Sequence, residues 1–356
     1  MPGLSLADVS VGGGSVGGAR ASSSSPPFRF FSPSSFWNKP LAANAPLNPD
    51  SAQLVSALNS QVAAEEQAES GPWINTTSYS IPIYTVPANQ PTVRVTLDNA
   101  LPAVALRAAF SEVPLPPDAQ PAIGTDALLV VWQPSTDRLW EFWRLKDTAG
   151  GWYASWGGAI QHVSTYSGVA GREAWPGATS WWGASASSLS LVGGLISFED
   201  LALGEINHAL SMSLPNVRAG VYSAPARRSD GRSHEPLSLP EGAHLRLDPH
   251  LALASLHLPR LTLMIAEAAQ RYGIFIKDGA RNVTFDAQDP IPTGIEPYGG
   301  PNGYFEGESP ARLLASFPWN RLELLKMELH SSKSRLQSQS RARHPRRKSK
   351  RRRAHG

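Results

Sequence analysis

The stretch 124–160, GTDALLVVWQPSTDRLWEFWRLKDTAGGWYASWGGAI, constrains the fold most. Its apolar runs are short and are separated by two connectors rich in turn formers, QPSTDR and KDTAGG. This predicts a three-stranded meander over 128–132, 139–145 and 152–156. Eight of the chain's 11 Trp lie between Trp132 and Trp182, so the rest of the domain is expected to pack around this sheet. Gly and Pro make up 61 of 356 residues, which favours turns and short strands over long helices. Apolar residues at 41% permit a substantial core.

The absence of Cys excludes zinc ribbons, thiol nucleophiles and disulfides. It suits an oxidising exterior. No run of about 18 apolar residues occurs, so no spanning helix is expected. The net charge of +3 divides into two opposite parts. From Lys333 onward there are 11 Lys/Arg and no Asp/Glu, while the remainder holds 21 basic against 29 acidic residues. The basic character belongs to the tail, and a nucleic-acid-binding face on the folded body is not supported.

These shifts divide the chain into three parts. Residues 1–27 are Gly/Ser-rich and read as disordered. They lack the basic and apolar regions of a signal peptide, so a mis-assigned start with the true signal upstream is the expectation. Residues 28–329 form one β-rich globular domain. Residues 330–356 are a disordered Lys/Arg-rich tail. The fold class is α+β, mainly β: a single β-sandwich or jelly-roll-like domain with a few short helices.

Within the domain, Asn48 and Pro49 start a helix carrying Leu54, Leu58 and Val62 inward, with Glu65 and Glu66 on its polar side. Strands are read in YSIPIYTV and TVRVTL. Ser197 and Asp200 form a capping box. The segment 206–214, INHALSMSL, alternates as a strand that puts His208 on the apolar face with Leu210 and Met212. Further strands are read at 221–223, 244–247 and 274–277. A helical stripe of Leu261, Met264, Ile265 and Ala268 is stopped by Gly273. Ser309-Pro310 starts another helix, and 319–329 reads as one more helical segment.

The order F-x-P-S-S-F-W-N-K-P, Y-S-I-P-I-Y, L-W-E-F-W, G-W-Y-A-S-W-G-G-A-I, L-S-L-V-G-G-L, G-E-I-N-H-A-L, P-A-R, R-L-D-P and Q-R-Y-G-I resembles a widespread group of secreted bacterial proteins, frequent in actinobacteria. That group carries patterns such as G-D-x-H-V-L-V, G-x-I-x-H-A-L, P-A-R-H and Y-G-M. The likeness is collinear over nearly all of 28–329. It implies secretion and a single fold unit, with no settled activity. Asp126, Glu141, His208, Arg246 and Asp278 fall on the group's polar positions. Leu128 stands where the group has His, and Ser185 where it has Asp, which puts any activity built on those two in doubt.

The residues themselves permit some chemistry. Glu141 shares a strand face with Leu139 and Trp143, where desolvation raises a carboxyl pKa toward that of a general acid. His208 is its candidate base partner, and Arg246 a bidentate carboxylate binder. Trp143, Trp152 and Trp156, with Asp126 and Asp278, are candidate substrate contacts. The competing readings are structural. Glu141 and Arg246 make a buried ion pair, His208 is a satisfied core residue, the Trp cluster is core, and the two Asp residues serve turns. No cofactor motif and no metal-ligand set is read, and H-E-x-x-H and G-x-x-x-x-G-K-[ST] are absent.

The expected function is a secreted or cell-surface protein that binds a polysaccharide or cell-wall glycan; if it is an enzyme, it is a hydrolase or lyase of that polymer. The basic tail, 333–353, is read as a ligand for anionic surface polymers. The first alternative is a non-catalytic structural protein of the cell envelope. The second is an intracellular nucleic-acid-associated protein acting through its tail.

Overall fold

The computed structural model describes residues 28–99, 101 and 103–332. The Gly/Ser-rich segment 1–27 and the tail from 333 lie outside these residues. The meander forms, with one exchange of strand. Leu129–Gln133 pairs antiparallel with Arg138–Trp143, and that strand pairs antiparallel with Trp156–Gln161. The third strand is therefore not the expected 152–156. Arg144 sits at φ 54°, which ends the central strand before Leu145. The chain then makes an excursion hairpin, Lys146–Thr148 with Gly151–Ala154, which joins Val95–Leu97 in a separate three-stranded sheet. Ile83–Thr85 adds to the meander in parallel with Leu129–Gln133, completing four strands.

A six-stranded mixed sheet makes the second half of the body. Its order is Trp73–Asn75, Thr284–Asp286, Leu210–Leu214, Ile274–Gly279, His244–Leu247 and Leu322–Leu324. Val221–Ser223 and Leu329–Ser331 form a small antiparallel pair. The described chain is thus mainly β with few short helices, and its strands divide among four sheets. Four of the strand pairs are parallel.

Two apolar clusters fill the body. One gathers around the meander and includes Phe110, Phe142, Trp140 and Trp182. The other lies about the six-stranded sheet and includes Leu58, Met212, Ile265 and Phe285. Strand Leu210–Leu214 is buried on both faces, so its alternation does not mark an exposed side. Among the described residues no helix is long and apolar enough to cross a membrane.

The helices follow their sequence signals with shifts at the ends. The first spans Ser51–Gln67, later than Asn48-Pro49 implied. Asn48 instead accepts a hydrogen bond from Asp50 N–H through Oδ1, at 2.9 Å, and forms the turn that precedes the helix. Leu54, Leu58 and Val62 are buried as expected, each burial being worth roughly 1.5–3 kcal/mol. The Ser197–Asp200 capping box forms before Phe198–Leu203. Arg260–Arg271 carries the predicted apolar stripe. The helix predicted over 319–329 does not form. Residues Trp319–Arg321 make one 3-10 turn, and the chain then enters strand Leu322–Leu324 beside His244–Leu247.

Glu65 is a correction. It lies on the inner side of its helix and is only 3% exposed. Its carboxylate accepts Val283 N–H at 2.9 Å and Gln61 Nε2 at 2.8 Å, tying the helix end to the strand region before Thr284. Burial raises its pKa, with the Gln61 and Val283 bonds opposing. Glu65→Ala is expected to lower unfolding stability by about 1–3 kcal/mol, because Val283 N–H loses its acceptor. Glu66→Ala should change it by no more than about 0.5 kcal/mol. Urea denaturation of both variants checks the contrast.

Candidate functional site

Glu141 projects from the centre of the meander and is fully buried. Its strand partner across the ladder is Gly158, where a Cβ would lie 3.0 Å from Glu141 Oε1. That missing side chain makes room for the carboxylate. Ala184 N–H donates to Oε1, and Ser190 Oγ–H and Leu191 N–H donate to Oε2, all at 2.9 Å. Burial raises the Glu141 pKa, opposed by these three bonds and by Lys277. Every donor comes from the Gly/Ser-rich stretch after Trp182, so Glu141 organises that loop. It is not presented to a groove.

The two other residues expected to converge on it have their own partners. Arg246 donates from Nε to Glu323 Oε2 at 2.7 Å and from Nη1 to the carbonyls of Ala42 and Ala43. It faces Glu323 directly across adjacent strands. The ion pair read as Glu141–Arg246 is therefore Glu323–Arg246. His208 is not on a strand, since the strand begins at Leu210. Its Nδ1 faces Ala209 O at 2.9 Å and its Nε2 faces Asp200 Oδ2 at 3.2 Å. With Asp200 ionised, both ring nitrogens meet acceptors, an arrangement that favours the imidazolium. Burial opposes that charge, but Asp200 outweighs it and holds the His208 pKa above its ordinary value. Burial likewise works against the Asp200 charge, and His208 and Ser197 outweigh it, so the Asp200 pKa is lowered. The pair borders a narrow cavity of about 30 Å³ beside Arg29, Phe31 and Asn38, with room for little more than a water.

The aromatic candidates separate into core and surface. Trp152 is 9% exposed and belongs to the apolar core, so it is not a substrate contact. Trp143 and Trp156 are half-buried and stand directly opposite each other on neighbouring strands. They share the face that carries Glu141 deeper in the sheet. Trp143 Nε1–H donates to Asp126 Oδ1 at 2.9 Å, and Arg144 N–H donates to Asp126 O at 2.7 Å. Asp126 therefore fixes the indole in place. The Arg144 guanidinium lies 4.3 Å from the Trp143 ring centre. The same pairing recurs at Trp181 with Arg227, 5.1 Å apart, and at Trp175 with Arg138, 5.6 Å apart.

Asp278 lies in different company from the other candidates. It accepts Ala186 N–H at 2.9 Å and its own neighbour Gly279 N–H at 2.8 Å. Oxygens of Asp278, Asp230 and Glu241 all lie within 4.8 Å of one another. Burial pushes the Asp278 pKa up to about 7; the Asp230 charge adds to this, while the Ala186 and Gly279 bonds and Lys277 oppose it. Burial, then Asp278, hold Glu241 well above the ordinary carboxylate value, against the neighbouring Ser229 hydroxyl and Arg228. Sequence reading missed Asp230 and Glu241. Their one shared signal is an acid followed directly by Gly, in SDG, PEG and KDG. Glu306-Gly307 carries the same signal outside the cluster, and turn chemistry accounts for such pairs equally well.

No protein-family model, curated protein or solved structure matches the chain.

His208→Gln is expected to destabilise the fold by about 3 kcal/mol, since it leaves Asp200 buried without its cation. The sign with pH follows from the two shifts. The His208 contribution is full below about pH 6.5 and is lost as pH rises through its raised folded pKa. The Asp200 contribution is full above about pH 4 and is lost as pH falls through its lowered folded pKa. The stability gap between native and variant protein should therefore be widest between about pH 4 and 6.5 and narrow in alkali. Denaturation series across pH test this.

Proposed function

We propose that the body is a glycan-binding protein of the cell surface or exterior, acting on a polysaccharide or cell-wall polymer by binding rather than cleavage. The observation that carries this is the Trp143–Trp156 pair. Two half-buried Trp residues stand opposite each other across a strand ladder, one of them locked by Asp126 and with an exposed guanidinium over its ring. A rigid aromatic face with adjacent donors suits the apolar face and hydroxyl rim of a sugar ring, and its rigidity limits the entropy lost on binding. Binding is favoured over cleavage because Glu141, His208 and Arg246 are each taken up by separate structural partners. The resemblance to secreted bacterial proteins and the lack of Cys support the exterior location. The tail from Lys333 would add a salt-sensitive attraction to anionic polymers.

The test is co-sedimentation of the full chain with neutral and acidic polysaccharides and bacterial wall preparations, at low and at high salt. Retention on one polymer at high salt, where tail attraction is screened, is expected. Trp143→Ala should weaken that retention about tenfold or more with the fold intact, a loss on the scale of one stacking contact. Retention that disappears at high salt, or that ignores Trp143→Ala, removes the aromatic face from the account. New chain ends detected by mass spectrometry would restore the enzyme reading.

A further inference from the structure

Glu241 is the most anomalous polar side chain of the body. It is completely buried, and neither of its carboxylate oxygens has a hydrogen-bond partner among the described residues. A carboxylate removed from water without donors is costly to hold. Glu141, buried to the same extent, shows how this fold treats a structural carboxylate: it supplies three donors. At Glu241 neither oxygen meets a donor in hydrogen-bonding geometry, and only the Ser229 hydroxyl and the Arg228 charge lie near enough to favour its ionised form, yet its backbone is firmly held. Ser223 N–H donates to Glu241 O at 2.8 Å, and Gly242 N–H donates to Ile276 O at 2.7 Å. Gly242 itself sits at φ +80°, with Ser223 O where a Cβ would go, so no other residue fits behind the carboxylate.

The side chain is aimed at two more carboxylates. Asp278 is set by a β-bulge: the register between Ile274–Gly279 and Leu210–Leu214 slips between Ile276 and Asp278. Such a bulge re-aims a side chain beside a site. Lys277, next to it, turns into the interior, where it donates to Asp286 at 2.5 Å and to Leu191 O at 3.2 Å. Asp278 is held by Ala186 N–H and Gly279 N–H, each of which uses one lone pair of a different oxygen. Asp230 approaches from a third segment and is exposed, with its Oδ1 3.9 Å from the position of a Cβ on Gly279. The cluster therefore runs from a buried carboxylate to an exposed one, an entry path open to solvent.

We propose that Asp230, Glu241 and Asp278 form a binding site for a hard divalent cation, Ca²⁺ in preference to Mg²⁺. Oxygen ligands alone, with no His or Cys, select Ca²⁺ or Mg²⁺ over zinc and copper. Three protein carboxylates with oxygens within 4.8 Å of one another suit the flexible all-oxygen shell of Ca²⁺, whereas Mg²⁺ keeps most of its waters and takes one or two carboxylates. A cation there would complete the partial compensation that Ser229 and Arg228 give Glu241. Water would complete the coordination from the exposed Asp230 side. The three ligands come from three separate segments, so a bound ion would clamp strand Ile274–Gly279 to the turns at Asp230 and Glu241. The site is independent of the Trp143 face.

The test uses the full chain freed of metal with chelator and titrated with CaCl₂ or MgCl₂ to about 10 mM, a ceiling above the affinity range of extracellular calcium modules. Calorimetry reads stoichiometry, and the melting temperature reads linkage to folding. The expected result is one Ca²⁺ per chain, bound at least tenfold more tightly than Mg²⁺, with a rise in melting temperature. Asp230→Asn changes an exposed residue and relieves like-charge repulsion, so it should not lower the metal-free melting temperature but should weaken Ca²⁺ binding at least tenfold. Glu241→Gln should remove the calcium-dependent rise. Absence of binding in this range overturns the proposal, as does binding that both variants leave unchanged. Magnesium binding equal to calcium overturns the calcium assignment.

Discussion

The peptide of Leu191 joins the two halves of the body. Its N–H donates to Glu141 on the meander, and its carbonyl accepts from Lys277 on the six-stranded sheet. Lys277 in turn pairs with Asp286 on the same sheet. A carboxyl group and an ammonium group are thereby buried on different sheets, with one backbone unit between them. Each group is costly to bury alone, so Lys277 is paired with Asp286 and Glu141 with its three loop donors, and the Leu191 peptide ties the two arrangements together. The Gly/Ser-rich stretch around Gly183–Leu191 has little apolar content of its own to fix it. Its conformation comes from Glu141 on one side, Asp278 on the other, and Arg228, which donates to the carbonyls of Trp182, Gly183 and Ser185.

Much of the local architecture was legible in the sequence. The first two meander strands, the capping box at Ser197, the stripe from Leu261 and the stop at Gly273 are short-range patterns, and they appear where the pattern puts them. The misreadings arise where a distant element decides. Glu65 reads as polar surface until Val283 is placed beside it, and 319–329 reads as helix until strand His244–Leu247 offers its edge. The 152–156 strand was misplaced because Arg144 takes a left-handed backbone conformation that its residue type does not announce. His208 was placed on a strand because alternation continues upstream of Leu210, although the ladder does not.

The candidate residues divide by the same logic. Residue type and apolar surroundings singled out Glu141 and His208 correctly as unusual, and both have raised pKa values in the fold. Pairing them was the step that sequence spacing could not support, because Asp200 and the loop donors lie outside any local motif. The acidic trio shows the reverse case. Asp230 and Glu241 look like ordinary turn residues, and only the bulge at Lys277 and the close approach of three separate segments bring them to Asp278.

The first helix rests on nearly the last strand. Ser51 Oγ accepts Leu324 N–H at 2.8 Å across 273 positions, and Trp73–Asn75 lies along Thr284–Asp286. Long-range pairings of this kind slow folding, because loop closure must precede the contacts that reward it. During synthesis, the amino-terminal helix waits for almost the whole body to leave the ribosome before its apolar side is covered. A chain arranged this way remains unfinished, and in need of protection from aggregation, until late in translation. Under the proposed export, that delay would let the chain cross a translocon before its closing strand locks the fold.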